Sequence, residues 1–121
     1  MSTLNAMSFD EPVLSLDEER RLARAIEVGL LAADALASGT MPTSTADLEH
    51  LCREGQRAYR RFVRANFRLV QMVTTPVVLR SGLDANDLFQ EGVLGLLEAA
   101  RRYDMARGAR FATFALPWIR M

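Results

Sequence analysis

The chain has 121 residues, half of them hydrophobic and a quarter charged, which is the composition of one globular domain of ordinary size. Its apolar runs are short and interrupted by arginine or glutamate, so no segment is expected to span a membrane. The single cysteine, Cys52, excludes an internal disulfide and a zinc site built from cysteines. Residues 1–11 lack the basic start of a signal peptide, so a cytoplasmic protein is expected.

The net charge of zero hides two halves of opposite sign. Residues 1–56 hold ten acidic residues and four arginines, a net charge of −6, whereas residues 57–121 hold eleven arginines and five acidic residues, a net charge of +6. All fifteen basic residues counted as lysine or arginine are arginines, and the planar guanidinium group of arginine suits phosphate groups. The basic second half therefore predicts contact with a polyanion.

The first predicted helix begins after Ser15, with acidic residues in its first turn. Ser15 and Glu18 have the spacing of a capping box, and apolar residues then recur every three or four positions until a stop near Gly39. A small, polar stretch around Pro42 follows. It predicts a linker over residues 39–46.

Apolar residues at helical spacing predict a second helix over residues 48–73, capped by Thr45 or Asp47. Gly55 is a point at which this helix could break. Pro76 should kink or end it, because proline lacks the amide hydrogen and its ring collides with the preceding turn. Apolar residues are expected to face inward and arginines outward: Phe62, Val63, Phe67, Val70 and Val73 against Arg57, Arg61, Arg64 and Arg68.

The third predicted helix opens with a side-chain cap at Asp84 and carries a polar stripe and two internal glycines. The stripe shares one face because steps of three and four residues stay together: Asp87, Gln90, Glu91 and Glu98. Gly92 and Gly95 each cost about 1 kcal/mol relative to alanine inside a helix, which predicts a close helix crossing. Taken alone, the stripe is a solvated face.

The stretch from Arg107 to Arg120 contains a turn and then a fourth predicted helix, which begins at Phe111 and runs to Met121. It mixes arginines with Phe111, Phe114 and Trp118. Guanidinium groups bind phosphates and rings accept unpaired bases, so this mixture suits single-stranded nucleic acid. A core role for at least one ring stays open. With no alternating strand pattern in the chain, the expected fold class is all-α, a compact helical bundle.

Three linked motifs resemble domain 2 of the bacterial sigma-70 family of transcription initiation factors, regions 2.1 to 2.3. They are Asn66–Val70, Asp87–Leu96 and Tyr103–Arg120. The segment Leu14–Gly29 also looks like region 1.2. The resemblance implies four parts: a flexible N-terminus at 1–13, a region 1.2-like helix at 14–38, a linker at 39–46, and the domain 2 core at 47–121, ending before region 2.4.

The family's known contacts can be placed on matching residues of this chain. Region 2.2 docks on the coiled coil of the largest catalytic subunit of core RNA polymerase, which implies polymerase contacts at Asp87, Leu88, Phe89, Gln90 and Glu91. Region 2.3 melts the promoter minus-ten element and holds an unpaired adenine of the non-template strand. This implies DNA contacts at Tyr103, Arg107, Arg110, Phe111, Thr113, Phe114, Trp118 and Arg120. An anti-sigma protein is a further expected partner, and no cofactor or metal is expected.

Four departures from the family pattern predict an alternative rather than a housekeeping factor. One is the stretch Val73–Gly82, which is one residue longer than usual and contains Pro76. Pro117 stands in place of the first of two adjacent tryptophans, Ala109 in place of a frequent aromatic residue, and Phe114 in place of tyrosine. A rival interpretation is a helical module that binds a protein partner without DNA contact; salt-dependent single-strand binding would separate the two. An enzyme is not expected, because His50 beside Cys52 lacks a catalytic partner.

Overall fold

The computed structural model describes residues 12–40 and 42–120, and this part of the chain contains helices and turns but no strand. Its α-helices are α1 (Leu16–Ser38), α2 (Thr45–Ala65), α3 (Phe67–Ser81), α4 (Ala85–Arg102) and α5 (Phe111–Arg120), with a 3-10 turn at Met105–Arg107. The all-α prediction is confirmed. The predicted flexible N-terminus lies, up to residue 11, outside the described residues. None of the described helices combines the length and the apolar character needed to cross a bilayer.

Side-chain caps set where α1 and α4 begin. The Glu18 amide donates to Ser15 Oγ at 3.1 Å and the Ser15 amide donates to Glu18 Oε1 at 3.1 Å, so the predicted capping box is formed. The Asp87 amide donates to Asp84 Oδ1 at 2.9 Å, which confirms the predicted cap of α4. These polar residues therefore fix the two helix starts by satisfying amides that have no partner within the helix.

The predicted second helix is two helices in the structure. The caps predicted at Thr45 and Asp47 are wrong, because Ser44 Oγ accepts the Asp47 amide at 3.1 Å. The backbone leaves helical geometry at Asn66, with a φ of −107° and a ψ of 8°, and this residue separates α2 from α3. Pro76 does not end a helix. It lies exposed inside α3, which continues past it.

The predicted inward and outward faces of α2 and α3 agree with the structure. Phe62, Val63 and Val70 are buried, Phe67 and Val73 are half-buried, and Arg57, Arg64 and Arg68 are exposed. Arg61 is half-buried and its guanidinium lies 3.3 Å from the Glu18 carboxylate. The most covered of these four arginines therefore has a carboxylate partner.

Residues 15–62 form one compact unit, in which α1 crosses α2 at two glycines. A Cβ atom on Gly29 would lie 2.8 Å from the Gly55 Cα, and one on Gly55 would lie 2.8 Å from the Gly29 Cα. The prediction of a break at Gly55 is wrong, because α2 continues through it and the missing side chain lets the two backbones touch. This unit also contains a hydrophobic cluster of Ala32, Ala35 and Leu48.

Leu14 and residues 63–120 form a second compact unit, in which α4 packs against both α3 and α5. Large side chains fill its centre. Phe89, Phe111 and Leu96 are fully buried together with Val70 of α3. Burial of each such side chain contributes on the order of 1.5–3 kcal/mol, so this unit has a conventional hydrophobic core.

The glycines of α4 allow its neighbours to approach closely. A Cβ atom on Gly92 would lie 2.6 Å from Val70 Cγ1. A Cβ atom on Gly95 would lie 2.7 Å from the Trp118 carbonyl carbon and 3.0 Å from the Ile119 Cα. The predicted close crossing is confirmed. Its consequence for the site is direct, since α5 rests on α4 at the backbone of Trp118.

Candidate functional site

The outer surface of α4 combines acidic and apolar groups. Asp87, Gln90 and Glu91 are exposed, and Leu94 on the same side of the helix is 61% exposed. These four residues are called the acidic face below. The sequence prediction missed Leu94, although its spacing of three and four residues from Glu91 and Gln90 identifies it. An exposed leucine among carboxylates offers a partner both apolar contact and charge.

The structure corrects one predicted polymerase contact. Phe89 is 0% exposed, and its ring packs edge-on against Phe67 with centroids 6.0 Å apart. It supports α4 from inside and cannot touch a partner in this conformation. Leu88 is half-buried and lines an apolar groove of about 660 Å³ between α3, α4 and α5, beside Glu91. It can therefore contribute only the edge of a contact centred on the acidic face.

The structure brings four of the predicted DNA-binding side chains into one aromatic cluster: Tyr103, Phe111, Phe114 and Trp118. The Tyr103 ring lies 5.2 Å from Phe111 and 5.7 Å from Phe114, and Phe114 lies 6.4 Å from Trp118, all between centroids. The Tyr103 hydroxyl donates to the Ala109 carbonyl oxygen at 2.6 Å. This hydrogen bond closes the 3-10 turn over the start of α5.

The rings of the aromatic cluster differ in what they can contact. Phe111 is 0% exposed and therefore cannot make the DNA contact predicted for it; it takes the core role that the sequence left open for one of these rings. Tyr103, Phe114 and Trp118 are half-buried and keep part of each ring accessible. Helical spacing explains the difference. Phe111, with Ala115 and Ile119, forms the inward side of α5, whereas Phe114 and Trp118 form its flank.

Exposed polar and basic groups lie on the same two segments as these rings, the 3-10 turn and α5. Thr113 and Arg120 lie on the exposed side of α5, together with Pro117. Arg107, in the 3-10 turn, is exposed and lies 3.9 Å from the Asp104 carboxylate. Arg110, the third predicted arginine, bonds within the protein: its guanidinium donates to the Leu14 carbonyl oxygen at 3.4 Å. Arg107 and Arg120 are thus both exposed, but Arg120 follows Trp118 by two residues and therefore lies on another side of α5, where it lines the groove between α3, α4 and α5.

A fourth arginine completes the site, and the sequence prediction did not include it. The Arg102 guanidinium carbon lies 5.1 Å from the Trp118 ring centroid, over the ring face. Arg102 Nε donates to Glu98 Oε1 at 2.7 Å, and Arg101 Nη1 donates to Glu98 Oε2 at 3.4 Å. The hydrogen bond from Arg102 holds the pKa of the Glu98 carboxyl below its usual range. Glu98 therefore binds two arginines of its own helix, α4, and is not counted in the acidic face.

This arrangement of half-exposed rings among guanidinium groups can stack flat, uncharged rings and bind anions next to them. Within the residues that the structure describes, no three His, Cys, Asp or Glu side chains lie close enough together to hold a metal ion. Stacking surfaces beside cationic groups are the contacts by which proteins commonly bind single-stranded nucleic acid.

Residues 56–121, more than half of the chain, match the family model of sigma-70 region 2. The chain belongs to the sigma-70 family. This region holds α3, α4 and α5 and the whole candidate site, so both the acidic face and the aromatic cluster lie within the part that defines the family.

The curated relatives of this sigma-family chain extend the likeness to its first helices. It is 41% identical over 125 residues to the RNA polymerase principal sigma factor HrdD of Streptomyces griseus, an alignment that covers 97% of this chain and 37% of the relative. It is 37% identical to the principal sigma factor HrdC of Streptomyces coelicolor, covering 90% and 34%. The sigma factor SigA4 of Synechococcus elongatus is 36% identical, covering 90% and 33%. The chain spans about a third of the length of these relatives.

The names of these relatives do not support the predicted type. HrdD and HrdC are named principal sigma factors, whereas Pro117, Ala109 and Phe114 were expected to indicate an alternative, non-housekeeping factor. These three residues therefore do not by themselves indicate an alternative factor.

Proposed function

We propose that this chain is the part of a transcription initiation factor that docks on core RNA polymerase and binds the unpaired non-template strand of the promoter minus-ten element. One observation carries the proposal. Tyr103, Phe114 and Trp118 present half-exposed rings in one row, with the guanidinium group of Arg102 over the Trp118 ring.

The aromatic cluster supports the strand-binding half of this proposal. Taking a base out of a duplex stack costs a few kcal/mol, so a binding site must return that free energy through new contacts. Stacking on an aromatic ring returns about 1–3 kcal/mol per base, and arginines beside the rings hold the phosphates. Phe111 contributes indirectly, because its burial under Tyr103 keeps the row in place.

The acidic face supports the polymerase half. Its carboxylates Asp87 and Glu91 need a basic partner, and opposite charges across an interface set both orientation and association rate. Leu94 adds an exposed apolar contact at the end of an otherwise polar surface. The partner that this composition fits is a helix with basic and apolar residues, such as one strand of the coiled coil in the largest polymerase subunit.

The test is binding of the whole chain to a labelled single-stranded oligonucleotide of the minus-ten element, measured by fluorescence anisotropy at increasing salt. We expect binding that weakens steeply with salt, because phosphate contacts release counterions. The same sequence as a closed duplex should bind more weakly. Equal binding of both forms, or single-strand binding that ignores salt, would contradict the DNA half of the proposal while leaving polymerase docking to a separate titration.

A further inference from the structure

The contact between Arg102 and Trp118 joins two helices through a chain of three side chains. Glu98 lies one turn before Arg102 on α4 and receives its Nε at 2.7 Å. Arg102 in turn covers one face of the Trp118 indole, with its guanidinium carbon 5.1 Å from the ring centroid. The order is thus carboxylate, guanidinium, indole, running from α4 to α5.

Such an order restricts the indole. A half-buried tryptophan at a helix flank can occupy several rotamers, and each would offer a base a different surface. A guanidinium over one ring face favours the rotamer that keeps this cation–π contact. The guanidinium is itself restricted, because a charge-assisted hydrogen bond of 2.7 Å fixes its direction.

We propose that Arg102, held by Glu98, is the positioning residue that orients the Trp118 ring for an unpaired base. The proposal rests on the proposed function of strand binding. In this proposal the base stacks on the indole and not on Arg102. Arg102 covers one face of the ring, which leaves the other face and the ring edge for the base. Preorganisation of this kind strengthens binding because the strand does not have to order the ring on arrival.

Arg101 provides a matched control. It is the neighbouring residue of α4, is exposed, and also donates to Glu98, at 3.4 Å. Arg101→Ala and Arg102→Ala each remove one positive charge and one hydrogen bond to the same carboxylate. Only Arg102 lies over the Trp118 ring among the described contacts. A difference between the two variants therefore reports on ring position and not on charge.

The experiment reads the only tryptophan of the chain directly. In the free protein, Arg102→Ala should lower the steady-state fluorescence anisotropy of Trp118 and shift its emission, whereas Arg101→Ala should leave both unchanged. Affinity for the single-stranded minus-ten oligonucleotide should fall about three- to tenfold further in Arg102→Ala than in Arg101→Ala. Arg102→Lys, which keeps the cation, should recover part of both signals.

Glu98→Gln tests positioning against charge, because the two explanations predict opposite changes in DNA affinity for this variant. It makes the chain more positive, so simple attraction predicts tighter DNA binding, whereas loss of the anchor for Arg102 predicts lower Trp118 anisotropy and weaker binding. Equal effects of Arg101→Ala and Arg102→Ala, or tighter binding by Glu98→Gln, would overturn the inference. If the unmodified chain binds no single strand, the proposed function fails, and the fluorescence comparison in the free protein still decides whether Arg102 positions the ring.

Discussion

The two compact units both cross helices at glycines, but the glycines meet different neighbours. In residues 15–62, Gly29 and Gly55 face one another, and the crossing brings two backbones together with small side chains beside it. In the second unit, Gly95 of α4 meets the backbone of Trp118 itself. A glycine crossing therefore holds α1 against α2 in the first unit, whereas in the second unit it positions Trp118, the residue at the centre of the candidate site.

The largest effect on this comparison is expected from Gly95→Ala. The added methyl group has no space against the Trp118 carbonyl, and overpacking of this kind costs typically about 1–3 kcal/mol of stability. Chemical denaturation measures this loss, and Trp118 emission in the folded protein should shift as α5 moves. Gly55→Ala is the counterpart: a similar loss of stability with Trp118 emission unchanged. Equal emission shifts in both variants would remove the distinction between the two crossings.

Next in size is the contribution of the indole to strand binding. Trp118→Ala should weaken binding of the single-stranded minus-ten oligonucleotide by roughly ten- to a hundredfold, because a stacked base is worth about 1–3 kcal/mol. Trp118→Phe, which keeps a ring, should retain most of the affinity. Anisotropy titrations at one fixed salt concentration give both values. A tryptophan that matters only for folding would leave the affinity of the folded Ala variant unchanged.

The acidic face should show a smaller effect that is confined to its partner. Gln90→Ala combined with Glu91→Ala should lower affinity for the isolated coiled coil of the largest polymerase subunit by about two- to tenfold, since exposed charges contribute roughly 0.2–1 kcal/mol each. Stability should change by less than about 0.5 kcal/mol, as at most surface positions. Glu49→Ala, exposed on α2, is the control. Equal affinities of the three proteins would place the docking surface elsewhere.

The smallest effect concerns acid stability of the first unit. The hydrogen bonds from Ser15, and then the charge of Arg61, hold the pKa of the Glu18 carboxyl below its ordinary value of 4.5. A lowered folded-state pKa means that the stabilisation is complete at neutral pH and is lost as the pH falls through that lowered value. Glu18→Gln should therefore lower the melting temperature at pH 7 and lose this difference in strong acid. A melting difference that is constant with pH would contradict the assignment.

Helix starts could be predicted from the sequence where a capping residue bonds to a neighbour in the first turn. Ser15 and Asp84 form caps with neighbours three residues away, so their spacing alone locates two helix starts. The interruption at Asn66 left no comparable signal, because apolar spacing continues across it and its side chain makes no cap hydrogen bond. Local patterns therefore predicted where helices begin better than where one is divided.

The site was predicted less evenly. Of the rings predicted to make contacts, Phe114 and Trp118 are half-buried, whereas Phe89 and Phe111 lie in the core. An aromatic residue suits either environment, and only packing decides between them. Arg102 and Trp118 are separated by a turn and by part of α5, so no periodic pattern brings them together. The predicted polymerase and DNA contacts outside these corrections stay predictions.

Helix α4 carries the acidic face near its start and the Arg102 anchor at its end, with no break between them. Twelve residues separate Gln90 from Arg102, which at a helical rise of 1.5 Å per residue is a span of about 18 Å. A polymerase helix held at one end and a base held at the other would thus be kept a fixed distance apart. The length of α4 therefore sets the distance between the acidic face and Arg102.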